Sequence, residues 1–376
     1  MDKKRDSVLV VSRWSIPARN PRAFRTTELI NELSRRGYNI SAFLPDYATV
    51  DDSITVYPVK APVFNHNEKN FAKHNHVKAL LANAIRKASI FFLGETPGNV
   101  IYSFRLMKKL KKILKKNSYE AIISISYPFY VHLAVALCRW LSANRDIVIA
   151  DCGDPFYDNP SCCKAPYLKQ LEKKVLRCFD YVVIPVENAR KSYADYALTS
   201  RLRIIPQGFA ITQIADDAYR KNSVPMFCFA GVFYEKIRNP RYFFNYLLLL
   251  KQDFVFVVYA LPDVFTLQLL EEYKEKLGDR LEIREPLPRE KLIHVIATME
   301  FVVNIDNENS NQKPSKLIDY AMSKRPILSF NSRTFKAEVF EAFLQGNYAG
   351  QEQIDLSQYD ICNVVDKFEE LFAEIR

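Results

Sequence analysis

Short runs of β-branched and aromatic residues alternate with amphipathic stretches of helical period along nearly all of the 376 residues. This alternation constrains the fold most. A strand that is apolar at every position, rather than at every second one, must be buried on both faces, and a parallel sheet covered by helices provides that. Val8–Ser12, Asn39–Leu44, Ala121–Ser126, Asp146–Ala150, Tyr181–Val186 and Leu202–Ile205 read as such strands. Between the first two, Arg22–Arg36 has apolar residues at helical spacing, and Gly37 follows as a stop. A polar stretch over Pro206–Pro225 interrupts the pattern. It then restarts with strands Met226–Ala230, Phe254–Tyr259, Leu281–Arg284, Phe301–Ile305 and Pro326–Phe330. Helices are expected from Asn239 and over Phe265–Lys276, Arg289–Thr298 and Ser315–Ser323. The expected fold is α/β, with two Rossmann-like, doubly wound parallel-sheet domains facing each other across a cleft. Residues 1–208 form the first domain and 209–360 the second, while 361–376 form a C-terminal helix that packs back on the first.

Glycine narrows the chemistry. There are nine in 376 residues, about 2.4% against an average near 7%. None lies in GxGxxG or GxxxxGK[ST], which argues against a P-loop ATPase or a standard dinucleotide-dependent dehydrogenase. Lys and Arg outnumber Asp and Glu by 53 to 43, a net charge of +10, so an anionic partner is expected. Without RNP, zinc-finger or helix-turn-helix patterns, nucleic acid is not that partner. The seven cysteines are scattered, with neither metal-ligand spacing nor a disulfide framework. Val8–Val11 is too short for a signal segment and no run of eighteen apolar residues occurs. The chain reads as cytoplasmic, reduced and not membrane-spanning.

In doubly wound sheets, ligands bind beyond the carboxyl ends of the strands, so the loops there are the candidate sites. After Phe301–Ile305 comes a polar loop containing Glu308 and Asn311, then the helix start Pro314-Ser315-Lys316. Free N–H groups with Lys316 form an anion site without glycine, and Asp319 lies one turn on, within reach of a ribose. An ordinary capped helix explains the same residues. After Met226–Ala230, Gly231 permits close backbone approach, and Lys236 and Arg238 offer the charge that a diphosphate needs. A solvated basic turn is the alternative. Asp151-Cys152-Gly153-Asp154-Pro155 follows another strand, placing two carboxylates where sugar hydroxyls or an acceptor would be oriented, and is equally good turn chemistry. The first loop carries Arg13, Arg19 and Arg22, suited to an anionic or lipid-diphosphate acceptor or to plain solvation. His132 falls early in the helix after Ala121–Ser126, for acceptor contact or packing. Phe104–Lys116 has seven basic and no acidic residues. Its Leu106, Leu110, Ile113 and Leu114 share a face for docking on the sheet, and the lysine face is free for an anionic membrane surface. No DxD clamp or HExxH appears, so no essential metal is expected.

Taken in order, the Arg22–Gly37 helix, the Asp151–Pro155 loop, Ile204-Ile-Pro-Gln-Gly208, Gly231-Val-Phe-Tyr…Arg238 and Pro314-Ser-Lys-Leu-Ile-Asp-Tyr320…Lys324-Arg-Pro-Ile327 resemble the family 4-like glycosyltransferases of the GT-B fold. The resemblance implies a nucleotide-sugar donor held mainly by the second domain and an acceptor on the first. It also implies retention of anomeric configuration without an essential metal or other cofactor. It makes Arg238, Lys236 and Asp151 the candidate catalytic residues. Gly231, Glu308, Asn311, Pro314, Ser315, Lys316 and Asp319 are assigned to the donor, and Arg13, Arg19, Arg22, His132 and Asp154 to a saccharide or lipid-linked acceptor. Two departures stand out. The family's E-x7-E carboxylate pair is matched by Asp319 at its second, ribose-binding member, whereas Asn311 occupies the first. Pro17–Pro21 replaces the glycine-rich first loop. A sugar transferase of surface polysaccharide or glycoconjugate synthesis is the leading expectation. A GT-B-fold sugar-nucleotide epimerase and a silent nucleotide-sugar-binding partner are the alternatives.

Overall fold

The computed structural model describes residues 7–18, 20–61, 76–140, 146–159, 163–196, 198, 200–235, 237–260, 263–307 and 316–374. The chain divides into two compact units, Met1–Ala210 with Gln358–Arg376, and Ile211–Ser357.

The first unit is built on seven parallel strands: β1 (Ser7–Ser12), β2 (Asn39–Pro45), β3 (Thr55–Val59), β4 (Ala121–Ile125), β5 (Ile147–Asp151), β6 (Tyr181–Ile184) and β7 (Leu202–Ile204). Their spatial order is β3-β2-β1-β4-β5-β6-β7. β1 pairs with β2 (Val8↔Ile40) on one side and with β4 (Val8↔Ala121) on the other. Its alternate side chains feed different cores. Leu9 and Val11 pack with Phe43, Tyr102 and Leu106 under α3 (Pro97–Leu114), α4 (Tyr130–Trp140) and α5 (Tyr167–Leu176). Val8 and Val10 pack with Leu29, Leu33, Val364 and Phe368 under α1 (Pro21–Arg35) and α11 (Ile361–Ala373). Asn20 starts α1 by accepting a hydrogen bond from the Ala23 N–H (3.0 Å), and Pro21 occupies the first turn. Gly37, at φ +88, ends the turn after the helix. Arg36 bridges α1 to α11 through Asp366 (2.5 Å) and Glu369 (2.6 Å).

The second unit carries β8 (Met226–Gly231), β9 (Val255–Ala260), β10 (Leu281–Arg284), β11 (Phe301–Ile305) and β12 (Ile327–Phe330) in the order β10-β9-β8-β11-β12. Its helices are α6 (Arg241–Leu249), α7 (Val264–Leu277), α8 (Arg289–Ile296), α9 (Lys316–Met322) and α10 (Ala337–Leu344). Aromatic residues at paired positions form a ladder across three strands. The Phe227 ring stacks on Phe256 (4.8 Å) and on Phe301 (4.9 Å), with Phe340 edge-on at 5.2 Å. Burial on this scale, with favourable ring geometry, is the main stabilising term of the unit.

Most expected strands agree with the observed ones to within a residue or two. Elements outside the sequence expectation include the edge strand β3, in which Pro58 is tolerated because an edge needs fewer ladder bonds, and the helices α2 (His76–Leu93), α5 and α10. In each sheet the first strand is central, and the direction of winding reverses beside it. The reversal lies between β1 and β4 in one sheet and between β8 and β11 in the other. A ligand crevice opens at the carboxyl ends of strands where winding reverses, so the loops after β1, β4, β8 and β11 are where chemistry is placed.

Phe227→Ala removes the centre of the aromatic ladder and should destabilise the second unit by about 3–5 kcal/mol. Denaturant unfolding followed by tyrosine fluorescence should show that unit's transition moving to lower denaturant.

Candidate functional site

The second sheet's reversal point gathers positive charge with too little to balance it. β8 ends at Gly231, whose φ is +152. A Cβ there would sit 3.3 Å from the Phe229 ring and 3.7 Å from Lys316 Cδ, so glycine leaves room for the lysine stem. The loop after β8 folds back on itself. Tyr234 and Arg238 exchange backbone hydrogen bonds (3.2 and 3.0 Å), which sets Arg238 beside the strand end. Its Nη1 donates to the Val232 carbonyl (3.2 Å), while its buried Nε has no partner among the described residues. Burial lowers the Arg238 pKa, opposed by Tyr234, Asp306 and Tyr320.

Lys316 opens α9, and Tyr320 fixes that helix to β8. The Tyr320 hydroxyl donates to the Ala230 carbonyl (2.7 Å) and accepts from the Ala230 N–H (2.9 Å). Lys316 Nζ lies over the Phe229 ring at 4.5 Å and 3.5 Å from the Ile305 carbonyl. Desolvation pushes this ammonium well below the usual lysine range. Arg238 pushes it the same way, and Asp306 opposes. Asp306, just past β11, is half-buried and is itself raised by burial and by the Glu352 carboxylate, against the Asn304 hydrogen bond (2.7 Å) and the two cations. The Oδ1 atoms of Asn304 and Asn307 are buried without a partner among the described residues. Among the described residues, two cations and the Asp306 carboxylate therefore share the end of β8 and β11, with unused donors and acceptors around them. Chemically this is an anion-binding arrangement.

Asp319 is placed differently from its two neighbours. Its Oδ1 meets Arg289 Nε at 2.7 Å, where α8 packs on α9. Burial raises its pKa and Arg289 opposes. Arg238 and Lys316 therefore act on the same carboxylate, whereas Asp319 is engaged by Arg289, a cation thirty positions earlier. Lys236, Glu308, Asn311, Pro314 and Ser315 lie outside the described residues, as does Arg19.

The first unit concentrates arginine at its own reversal point. Arg13 is buried between the Trp14 and Tyr102 rings (4.6 and 4.8 Å) and donates to the Tyr47 hydroxyl (3.2 Å). Arg22 stands over Gly153. A Cβ at 153 would lie 2.3 Å from its Cζ, so any side chain there would push this guanidinium out of its place. Burial lowers the Arg22 pKa, opposed first by Asp151. Asp151 itself is buried and held by Arg25 (2.7 Å), a residue that sequence reasoning passed over. Asp154 is exposed on the same loop. His132 is fully buried, 2.7 Å from Ser124 Oγ and 3.5 Å from Cys152 Sγ, with burial driving its pKa down to about 3. A neutral imidazole enclosed this way packs the sheet and has no surface to offer an acceptor.

Asp306, Tyr320 and Arg25 stand in these candidate sites without having been given a role from the sequence. Asp306 had the signal of following a strand directly. Arg25 had that of an arginine on the apolar face of a helix.

No protein-family model and no curated protein matches the chain. Solved structures do resemble it. A glycosyltransferase from Rickettsia africae superposes with a TM-score of 0.64 at 11% identity, covering 99% of both chains. HepE from Anabaena, solved in complex with UDP, gives 0.62 at 9% identity over 98% of this chain and 100% of its own. The apo form of the lipopolysaccharide outer core galactosyltransferase WaaB gives 0.60 at 10% identity over 98% and 99%. With its seven-stranded and five-stranded parallel sheets, the chain has the fold of the GT-B glycosyltransferases.

Proposed function

We propose that this protein is a retaining, metal-independent glycosyltransferase. In this reading the second unit binds a nucleotide-diphosphate sugar, and the first unit binds a saccharide or lipid-linked acceptor in surface polysaccharide or glycoconjugate synthesis. The observation that carries the proposal is the pair Arg238 and Lys316 at the end of β8 and β11, with Asp306 as their one nearby counter-charge among the described residues. The bound UDP of the Anabaena relative supports the choice of ligand class.

Sugar transfer leaves negative charge on the departing diphosphate and positive character on the sugar ring. Fixed cations in a half-buried site stabilise that charge more in the transition state than in the ground state. Arg238 offers its partnerless Nε and a held guanidinium, and Lys316 a point charge backed by an aromatic face. Together they do the work a divalent ion would do at the diphosphate. Gly231 keeps the strand end low enough for the phosphates to approach, and Tyr320 sets the distance between α9 and β8. Arg13, Arg22 and Asp154 are the acceptor-side candidates, with Asp151 positioning Arg25 beneath them. Asp319 reaches a ribose only by sharing or releasing Arg289.

Calorimetric titration with UDP, GDP, ADP and TDP should identify one tightly bound base. Arg238→Ala and Lys316→Met should each weaken that binding by roughly tenfold to a hundredfold, the worth of a charge-assisted hydrogen bond. Full affinity and turnover in Arg238→Ala would remove Arg238 from the role.

Protonation supplies a second test. Lys316 is depressed when the site is empty, and an adjacent diphosphate favours its charged form. Binding at a pH above the free Lys316 value should therefore take up a proton, and affinity should fall as pH rises. The measured heat should vary with the ionisation heat of the buffer and lose that dependence in Lys316→Met. The same variant should stabilise the empty second unit by about 1 kcal/mol. The sign comes from the depressed pKa: the cost of the buried ammonium is full below its folded pKa and fades as pH rises from there to the ordinary lysine value of the unfolded chain.

A further inference from the structure

The helix α2 has the composition of a buried element and the environment of a surface one. Its eighteen residues include Lys78, Arg86 and Lys87 but no acid. Leu80, Leu81, Ile85, Phe91 and Phe92 recur at spacings that place them on one side of the helix. From Leu80 to Ala88 every side chain is exposed, and Leu80, Leu81 and Phe92 show 66%, 61% and 56% of their surface. The C-terminal end of α2 is tied down: the Phe91 carbonyl accepts from the Ala165 N–H (2.9 Å), Ser89 Oγ donates to the Glu95 carbonyl (2.7 Å), and the Tyr167 hydroxyl donates to the Phe92 carbonyl. An apolar helix left bare in water is marginal, so this stripe needs a covering surface.

The neighbouring α3 identifies the cover. Three residues separate it from α2, and it leaves Ile101 and Phe104 (46% and 57% exposed) bare in its first half. The row from Arg105 to Lys112 continues it: Arg105 and Lys109 donate to the Lys60 and Pro58 carbonyls, and Lys108, Lys111 and Lys112 are exposed with no acid on α2 or α3 to face. No described helix is long and apolar enough to cross a membrane. A second copy of this chain laid on the same face would bring two all-basic surfaces together, which repel. A surface of anionic lipid headgroups has the complementary charge and an apolar layer beneath for the leucines and phenylalanines.

We infer that α2 and the exposed face of α3 form a membrane-surface interface. α2 lies in the headgroup plane with Leu80, Leu81, Phe91 and Phe92 inserted, and the α3 lysines lie against anionic lipid. This attachment can be tested apart from the donor site, because neither helix contributes to the reversal point of the second unit.

Co-sedimentation of the full chain with phosphatidylglycerol-rich and with pure phosphatidylcholine vesicles tests the inference. Binding is expected to the anionic vesicles and should weaken as salt rises. Phe91→Ser with Phe92→Ser, Leu80→Ser with Leu81→Ser, and Lys108→Glu with Lys112→Glu should each lower the partition coefficient by about tenfold or more. Melting curves and nucleotide titrations should stay as in the parent. The inference is overturned if the parent chain ignores anionic vesicles, if it binds both vesicle types equally at all salt concentrations, or if the variants bind like the parent. It is also overturned if light scattering finds a dimer that the Phe91→Ser, Phe92→Ser variant abolishes, since the stripe would then be covered by a second copy.

Discussion

A sheet buried on both faces leaves polar chemistry little room except at the ends of its strands. β1 and β8 are apolar nearly throughout because helices lie above and below them. Charged groups required for function are therefore displaced into the loops beyond the carboxyl ends. The reversal of winding beside the central strand then selects which loops splay apart to form a site. This constraint sets the positions of Arg13, Gly231, Arg238 and Asp306. It also sets their closeness to backbone groups that the strands no longer pair.

Electrostatics at the end of β8 works against the stability of the empty protein. Burial disfavours the charge on both Arg238 and Lys316, Arg238 depresses Lys316 further, and a half-buried Asp306 offsets this only in part. Such an arrangement persists because Tyr320 and the Tyr234–Arg238 turn hold it in place, not because it is comfortable. Groups held at a cost in the free protein are those that a bound anion relieves, which connects the structural observation to ligand affinity. The arginines over Gly153 are arranged by a gentler version of the same rule, with Asp151 neutralising Arg25 directly.

Much of this was legible in the chain itself, for identifiable reasons. Arg238 and Lys316 are found by inspecting the residues just past each buried strand, because strand ends are local in sequence. The Asp319–Arg289 pair is not, because the partner arrives from another helix through tertiary packing. His132 has the same limitation: its spacing puts it near a strand end, and only the packed sheet reveals that its ring is enclosed by Ser124 and Cys152. Strand β3 is short and contains Pro58, which weakens its pattern, and its place is set by pairing with β2 (Phe43↔Tyr57) rather than by its own composition. Periodicity gives the apolar side of α2, but not the fact that this side is bare.

The return of the chain into the first unit has a consequence for biosynthesis. Until Ile361–Ala373 has left the ribosome, one side of the seven-stranded sheet lacks the helix that supplies Val364, Val365 and Phe368 to its core. The nascent first unit must then wait, with Val8, Val10 and Leu29 incompletely covered, while the whole intervening unit is translated. A chaperone that shields apolar surface cotranslationally would have its longest engagement on that side.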